Sequence, residues 1–569
     1  MFRRIRLTLA LAMSALVMSS LPAHALPAST TVTVHYQRFA ADYTGWNLWL
    51  WPAGGAGAAY SFTGTDAFGA VGTFTVPNTG SADSVGIIVR LNNWEQKDVA
   101  ADRFIKTFKA DGSTEVWLVQ TDPTIYYAEP KLVPQFQSVA MDDVRQISVS
   151  VNKPITPVAG ANRFTLTGPG NPTITKVVTA SGAAADLKLV LTTSADLALD
   201  GAYSLSHPDF GTASVTLGAV LNSPAFNSLY TYSGDDLGNT YSATKTSFRL
   251  WAPTATEAKL LVFAGAETKE MPLEVPMIAD VKGTWVASLD GDRNGTVYKY
   301  KVKVGNVWHE AVDPYVRATT LNGLRGVVVN LDQTNPATWT TTKPTFSGKP
   351  TDAVIYELHV RDLSMDANSG ISAADKGKFL ALTEHGTHMP GSSTATGVDA
   401  IKALGATHVQ LLPIYDYKTV DESTNDQFNW GYDPLNYNVP EGSYSTQPSN
   451  PTNRITELKQ TVQSLHQDGL RVVMDVVYNH VFDADASSFQ QLVPGYFFRM
   501  NADGTYGNAT GCGNEVASER PMVRKFIVDS VSYWAKQYHL DGFRFDLMGV
   551  LDVTTMQQVR AALDAIDPS

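Results

Sequence analysis

Short β-branched segments alternate with helical segments through the second half of this chain, and this alternation limits the fold more than any other feature. The candidate strands are Ala353–Leu358, His408–Pro413, Val472–Val477 and Gly542–Asp546. The candidate helices are Asp399–Leu404, Asn453–Gln467, Met522–Gln537 and Thr554–Ile566. Strands that alternate with helices form a parallel sheet covered by those helices. The sequence therefore predicts a parallel α/β fold of four strand–helix units.

A cation and a carboxylate share one face of the last predicted strand, in the segment Asp541–Asp546. Side chains alternate along a strand, so Arg544 and Asp546 point one way and Phe543 and Phe545 the other. A carboxylate beside a guanidinium stays ionised, as a nucleophile or charge-stabilising group in sugar chemistry must. Taken alone, the same pair also fits a structural ion pair.

Two further segments favour an active site. Asp475–His480 ends a β-branched run in polar residues, which is typical of a parallel strand with functional groups at its carboxyl tip. Asn429–Pro434, with the sequence NWGYDP, predicts a rigid aromatic turn. Functional side chains at two strand ends in succession are expected to meet at one edge of the sheet.

These three segments resemble the signature motifs of the type I pullulanases, starch-debranching members of the α-amylase superfamily (glycoside hydrolase family 13). The resemblance implies a TIM (β/α)8 barrel and a retaining hydrolase of α-1,6 branch linkages in pullulan, starch or glycogen. It makes Asp546 the nucleophile, with Arg544 orienting it and keeping it ionised. His480 would bind the sugar before the cleaved bond, Tyr432 would stack on it, and Asp475 would organise the hydrogen bonds. The full set of implied substrate-binding residues is His480, Tyr432, Asp433, Asp475 and Trp430.

The sequence departs from the family pattern after Asp546. The family's general acid, a Glu on the next strand, and its transition-state-stabilising Asp have no counterpart before Ser569. Four strand–helix units also make only the first half of an eight-unit barrel. We therefore expect a C-terminally incomplete barrel that binds α-glucan without debranching it. A non-catalytic secreted α-glucan-binding protein is the alternative, and an α-1,4-cleaving amylase or another debranching enzyme is disfavoured by the aromatic turn.

The N-terminal part predicts a β-sandwich with a sugar-binding platform. Trp49 and Trp51 are two residues apart, so they share one strand face, where flat rings can cover the apolar face of glucose. Trp94, Lys97 and Asp102 add a third ring and polar groups for sugar hydroxyls. Without further information, the tryptophans fit a core equally well. The pattern resembles carbohydrate-binding module family 41, which implies a starch-binding module.

The predicted order of domains is a signal peptide and four folded units. Residues 139–232 are Ala-, Thr-, Val- and Gly-rich and carry no polar cluster, so we predict a spacer β-domain. Residues 233–341 resemble carbohydrate-binding module family 48, in which we predict Trp251, Trp285 and Trp308 to be core. The predicted units are 1–25 signal peptide, 31–131 starch-binding sandwich, 139–232 spacer, 233–341 second module and 350–569 incomplete barrel.

Composition and the N-terminus indicate an exported protein. Three arginines, a short apolar run and Ala23-His-Ala25 predict a signal peptide cleaved after Ala25, with secretion or periplasmic location. The apolar run is too short for a permanent membrane span. A net charge of −12 disfavours nucleic acid as a partner. The one cysteine, Cys512, precludes an intramolecular disulfide.

The chemistry implied by the resemblance requires no cofactor. Ca²⁺ is possible by family, but no segment shows a regular pattern of oxygen ligands that would locate it. The segment Glu384–His388 is predicted to be a solvated loop rather than a metal site. Oligomeric state is left open.

Overall fold

The computed structural model describes residues 27–39, 41–78, 83–109, 111–158, 163–267, 269–305, 307–501 and 504–568. The predicted signal peptide lies outside these residues. None of the described helices is long and apolar enough to cross a bilayer.

The first unit is a β-sandwich with a core of its own. One sheet has the order β4-β5-β1-β9 and the other β3-β2-β6-β7, with β8 beside β6. Alternate residues of β1, β2 and β9, such as Val34, Leu48 and Leu118, fill the space between the sheets with no exposed surface. The strands are β1 (Ser29–Gln37), β2 (Trp46–Pro52), β3 (Ala58–Ser61), β4 (Gly64–Thr65), β5 (Ala70–Pro77), β6 (Val85–Leu91), β7 (Gln96–Lys97), β8 (Arg103–Ile105) and β9 (Ser113–Val119).

The second unit is a smaller β-domain that ends in a short helix. Its main sheet has the order β13-β14-β11-β10-β17, and β12-β15-β16 form a second sheet. The elements are β10 (Phe136–Asp143), β11 (Gln146–Ile155), β12 (Thr165–Thr167), β13 (Ile174–Thr179), β14 (Asp186–Thr193), β15 (Ser204–His207), β16 (Gly211–Ser214), β17 (Thr216–Leu217) and α1 (Pro224–Tyr230). Its core joins that of the following units in one cluster, because Phe226 of α1 packs on Tyr496.

The third unit is another β-sandwich, with sheets β18-β19-β23-β22 and β21-β20-β24-β25. The prediction that its tryptophans are core is right for Trp251, which is 6% exposed, but wrong for Trp308. Trp308 is only partly buried, and the Nζ atoms of Lys259, Lys301 and Lys303 lie 4.8, 5.4 and 5.8 Å from its ring centroid. The strands are β18 (Gly238–Ser242), β19 (Lys245–Trp251), β20 (Ala255–Phe263), β21 (Leu273–Pro276), β22 (Ile278–Ala279), β23 (Thr284–Asp290), β24 (Val297–Val304), β25 (Val307–Ala311) and β26 (Gly326–Val327).

The fourth unit contains the predicted parallel sheet, in the order β27-β28-β31-β32 with every pair parallel. An antiparallel pair, β29 and β30, lies outside it. The elements are β27 (Ile355–Leu358), α2 (Asp362–Met365), α3 (Gly397–Ala403), β28 (His408–Leu411), β29 (Tyr415–Tyr417), β30 (Pro434–Pro440), α4 (Asn453–Gln467), β31 (Arg471–Val476), α5 (Ser488–Leu492), α6 (Pro521–Gln537), β32 (Gly542–Phe545) and α7 (Val553–Ile566). The prediction of β-rich N-terminal domains followed by the first part of an α/β barrel is confirmed.

Candidate active site

Functional side chains collect at the carboxyl edge of the four-stranded parallel sheet. β31 and β32 pair in a register that sets Asp475 directly beside Arg544. Asp546 is the first residue after β32, and Asn479 and His480 follow β31. Because all four strands run the same way, their carboxyl ends lie on one edge of the sheet, where α/β proteins carry their active sites.

Arg544 holds two carboxylates at once. Its Nη1 lies 3.0 Å from both carboxylate oxygens of Asp475 and 2.9 Å from Oδ1 of Asp546. Partial burial opposes the charge of Arg544, but the hydrogen bonds and charges of the two carboxylates outweigh it and raise the pKa of its guanidinium. The structural ion pair and the predicted nucleophile position are therefore parts of one arrangement, and the role of Asp546 stays a prediction.

Asp475 is fully buried and accepts hydrogen bonds from two neighbours, while its role in the site stays a prediction. The hydroxyl of Tyr432 donates to its Oδ2 at 2.8 Å, beside the contacts from Arg544. Burial raises the pKa of Asp475, and the hydrogen bonds from Tyr432 and Arg544 work against that rise. Both oxygens of Asp475 are occupied by these donors, so this carboxylate positions its neighbours.

Asn479 is a site residue that sequence reasoning missed. Its Nδ2 donates to the carbonyl oxygen of Asp546 at 2.9 Å and to Oδ2 of the same residue at 3.2 Å. Arg544 thus holds one carboxylate oxygen of Asp546 and Asn479 the other. The available signal was a polar amide inside the Asp475–His480 motif, directly after a buried strand.

His480 is buried, and both of its ring nitrogens face oxygen atoms of the protein. Nδ1 lies 2.5 Å from Oδ1 of Asn479, and Nε2 lies 2.9 Å from the carbonyl oxygen of Tyr432. Both oxygens accept hydrogen bonds, so a neutral imidazole can donate to one of them and an imidazolium to both. Burial lowers the pKa of His480, opposed by the Tyr432 carbonyl and the charge of Asp546. Its sugar-binding role stays a prediction.

The predicted aromatic turn, Asn429–Pro434, is an irregular bent segment that ends where β30 begins, and Tyr432 lies at this edge of the sheet. The indole of Trp430 is 64% exposed, whereas Tyr432 is partly buried against Asp475. Asp433 stabilises the turn from inside: Asn429 Nδ2 donates to its Oδ1 at 2.7 Å and the Thr419 hydroxyl to its Oδ2 at 2.6 Å. Trp430 is therefore free to meet a ligand, while the Asp433 side chain is engaged within the turn.

The N-terminal platform has the geometry that its spacing predicts. Trp49 and Trp51 lie on the outer face of β2, and the ring of Trp94, 45% exposed, lies 5.4 Å from that of Trp49. Arg90, which the sequence analysis did not single out, places its guanidinium 4.7 Å from the Trp49 ring and 4.4 Å from the Trp94 ring. Trp94 has φ +72°, a left-handed conformation that is uncommon for a bulky residue and often marks a functional site.

Lys97 and Asp102 flank this platform as a pair. Lys97 Nζ donates to Asp102 Oδ1 at 2.9 Å and to the carbonyl oxygen of Ala100 at 3.1 Å. Two glycines make room for the indoles, because a Cβ on Gly57 or Gly86 would lie 2.2 or 2.0 Å from the nearest atom of Trp49 or Trp51. Sugar binding by these residues stays a prediction.

Within the described residues, one carboxylate cluster has the spacing of a metal site, with oxygens of Asp416, Glu422 and Glu441 within 4.8 Å of one another. Arg454 occupies both oxygens of Glu422, at 2.8 and 2.7 Å. Backbone N–H groups donate to both oxygens of Glu441, leaving Oδ1 of Asp416 as the oxygen without a partner. Ca²⁺ needs six to eight oxygen ligands, so these residues do not fit the ion.

Three protein families match separate parts of the chain. Residues 30–127 match the "Bacterial pullanase-associated domain" and residues 236–316 match "Carbohydrate-binding module 48 (Isoamylase N-terminal domain)". Residues 395–494 match "Alpha amylase, catalytic domain", a range that stops before Arg544 and Asp546. Pullulanase of Bacillus subtilis is 46% identical over 341 residues, covering 60% of this chain and 46% of that protein. Over these parts the chain is similar to pullulanases and to the α-amylase catalytic domain.

Solved structures of pullulanases are similar to the chain as well. Pullulanase from Paenibacillus barengoltzii, in complex with maltohexaose and α-cyclodextrin, is 55% identical with a TM-score of 0.59, over 61% of this chain and 54% of that one. Pullulanase from Anoxybacillus sp. LM18-11, complexed with maltotetraose, is 41% identical with a TM-score of 0.67, over 76% of this chain and 60% of that one. The chain thus spans about half the length of the relatives it matches.

Proposed function

We propose that this pullulanase relative acts in retaining hydrolysis of α-1,6 branch linkages in an α-glucan, with Asp546 as the nucleophile. The observation that carries the proposal is that both carboxylate oxygens of Asp546 accept hydrogen bonds from neighbouring side chains. Arg544 bonds one carboxylate oxygen and Asn479 the other, which orients the group at the carboxyl edge of the sheet. A nucleophile held in one orientation by charge-assisted hydrogen bonds is pre-organised for attack.

The proposed first step forms a covalent glycosyl-enzyme. An oxygen of Asp546 attacks the anomeric carbon, the bond to the leaving oxygen breaks, and that oxygen takes a proton from a general acid. Asp475 does not fit the acid's role, because Arg544 and Tyr432 occupy both its oxygens and it has no exposed surface. The prediction that the acid is a Glu, as the family resemblance implies, stands as part of this proposal.

The aromatic groups support an α-glucan as the substrate. An exposed indole at position 430 and the platform of Trp49, Trp51 and Trp94 offer flat apolar faces of the kind that cover a glucose ring. Two of the related pullulanases have been solved with maltohexaose and maltotetraose, which are α-glucan oligosaccharides. Cleavage at α-1,6 linkages, and export of the protein after removal of residues 1–25, are included in the proposal.

A glycosyl fluoride tests the nucleophile without depending on the general acid, because fluoride leaves without protonation. We expect 5-fluoro-α-maltosyl fluoride to label the peptide containing Asp546 in the chain 1–569, and Asp546→Asn to abolish the label. Asp564→Asn is the matched control, since Asp564 pairs with Arg560 on the exposed face of α7. A label on another carboxylate, or an undiminished label in Asp546→Asn, would refute the assignment.

A non-catalytic α-glucan-binding role is the second candidate, favoured by the separate core of the first unit. Residues 26–131 are expected to bind immobilised amylose or pullulan. Replacing both Trp49 and Trp51 by Ala should weaken that binding at least tenfold, because each lost indole removes an aromatic face that can stack on a sugar ring. Binding of glucan by the chain 1–569 without any labelling of Asp546 would favour this candidate. Unchanged binding in the double variant would place the stacking surface elsewhere.

A further inference from the structure

His359 is a buried imidazole at the same sheet edge that the proposed mechanism does not use. It directly follows β27, the first strand of the parallel sheet, and is 6% exposed. Its Nε2 lies 2.8 Å from the carbonyl oxygen of Asn429 and 3.0 Å from the hydroxyl oxygen of Tyr444. His359 therefore contacts Asn429, the first residue of the aromatic turn, which lies 70 residues later in the chain.

The neighbours of His359 determine which nitrogen carries its proton. The carbonyl oxygen of Asn429 can only accept, so Nε2 must carry the hydrogen, whereas the backbone N–H of Asp362 donates to Nδ1 at 3.3 Å. The neutral Nε2–H form satisfies both contacts. Burial also lowers the pKa of His359, which favours the neutral ring.

Two imidazoles thus hold the same turn at two points. His359 meets the carbonyl of Asn429, and His480 meets the carbonyl of Tyr432 three residues later. Trp430 lies between these two points, with its indole exposed. The position of the turn also sets the Tyr432 hydroxyl against Asp475, and through Asp475 it reaches Arg544.

We propose that His359, supported by Tyr444, is a positioning residue for the aromatic turn Asn429–Pro434. Its hydrogen bond fixes the start of the turn, and this places the indole of Trp430 and the phenol of Tyr432 for the sugar. Tyr444 is 2% exposed and packs its ring edge-on against the imidazole at 5.7 Å, which restricts the ring of His359. The sugar-contacting part of this proposal rests on the proposed function; the hold on the turn does not.

Hydrogen exchange measures the hold on the turn directly. His359→Ala leaves the Asn429 carbonyl without its buried donor, so we expect the backbone amides of residues 428–433 to exchange about tenfold faster. His359→Gln is expected to restore most of the protection, because its side-chain amide can donate to the same carbonyl. Tyr444→Phe should give a smaller increase. His408→Gln is the control, because this histidine stands at the amino end of β28, whereas the turn lies at the carboxyl ends of the strands.

Ligand binding tests the consequence of that hold. The measurement uses a chain that carries Trp49→Ala and Trp51→Ala, so that two rings of the N-terminal platform are absent. In this background we expect His359→Ala to weaken maltotetraose binding about tenfold and His359→Gln to restore it. Unchanged exchange in His359→Ala at an unchanged melting temperature would overturn the proposal, as would equal acceleration in His408→Gln or no rescue by His359→Gln. If the background chain itself binds no maltotetraose, the substrate role of the turn fails, while the exchange result still decides the role of His359.

Discussion

Replacing Arg454 by Met is expected to destabilise the fourth unit strongly. The side chains of Arg454 and Glu422 are 0% and 1% exposed, and the guanidinium donates to both carboxylate oxygens at 2.8 and 2.7 Å. Asp416 and Glu441 lie beside this pair. Removing one partner of a buried ion pair leaves an uncompensated charge and typically costs about 3–5 kcal/mol of unfolding free energy.

The loss should be larger at pH 8 than at pH 5. Burial, with the charge of Glu422, raises the pKa of Glu441 to about 8 from an ordinary 4.5, and burial also raises the pKa of Asp416. Between about pH 4.5 and 8 the folded state therefore binds more protons than the unfolded chain, and stability falls as the pH rises through this window. Without the Arg454 charge these carboxyl groups become harder to ionise, which steepens that fall.

Urea unfolding at pH 5 and pH 8, with pulsed hydrogen exchange read on peptides of β31 and α6, measures this loss in the fourth unit. Arg560→Met removes an exposed arginine paired with Asp564 and should leave the transition unchanged, since such surface pairs contribute little. A loss below about 1 kcal/mol at pH 8, or a larger loss at pH 5, would contradict the reasoning, because a buried pair is expected to cost more.

Two further changes probe the candidate sites. Gly86→Ala would set a Cβ 2.0 Å from the ring of Trp51, so the indole must move and amylose binding by residues 26–131 should fall about tenfold. Gly64→Ala is the control, because nothing lies within 4 Å of its Cβ. Equal binding by the two variants would show that the Trp51 ring does not contact the sugar. Asn479→Ala removes one of the two groups that hold Asp546 and should slow glycosyl-fluoride labelling about tenfold at unchanged pH, whereas an unaltered labelling rate would remove Asn479 from the site.

Short-range pattern was enough to predict much of the fold. The predicted helix Asn453–Gln467 has the observed bounds, and the four strands of the parallel sheet occur within a few residues of their predicted positions. These features depend on neighbouring residues, whose spacing alone decides which face of a strand or helix is apolar. The shared outer face of Trp49 and Trp51 follows from the same alternation.

The third unit shows where such reasoning stops. Trp251 and Trp308 lie in two strands of one sandwich. Trp251 is buried in the core, whereas three lysine side chains lie over the ring of Trp308. Lys303 pairs with Trp308 across β24 and β25, so the outcome depended on the register of two strands. A one-residue change of register would have turned Trp308 to the other face of the sheet.

By itself, the sequence determined the order of the structural units, the strand–helix alternation, and the pairing of Arg544 with Asp546 on one face, because each depends on residues close along the chain. Only the tertiary structure decided that Asn479 holds the second oxygen of Asp546, 67 residues away, and that His359 holds the turn of Asn429, 70 residues away. Contacts between distant segments depend on how parallel strands align and how far loops reach across the sheet edge, and neither quantity is contained in a local pattern of residues.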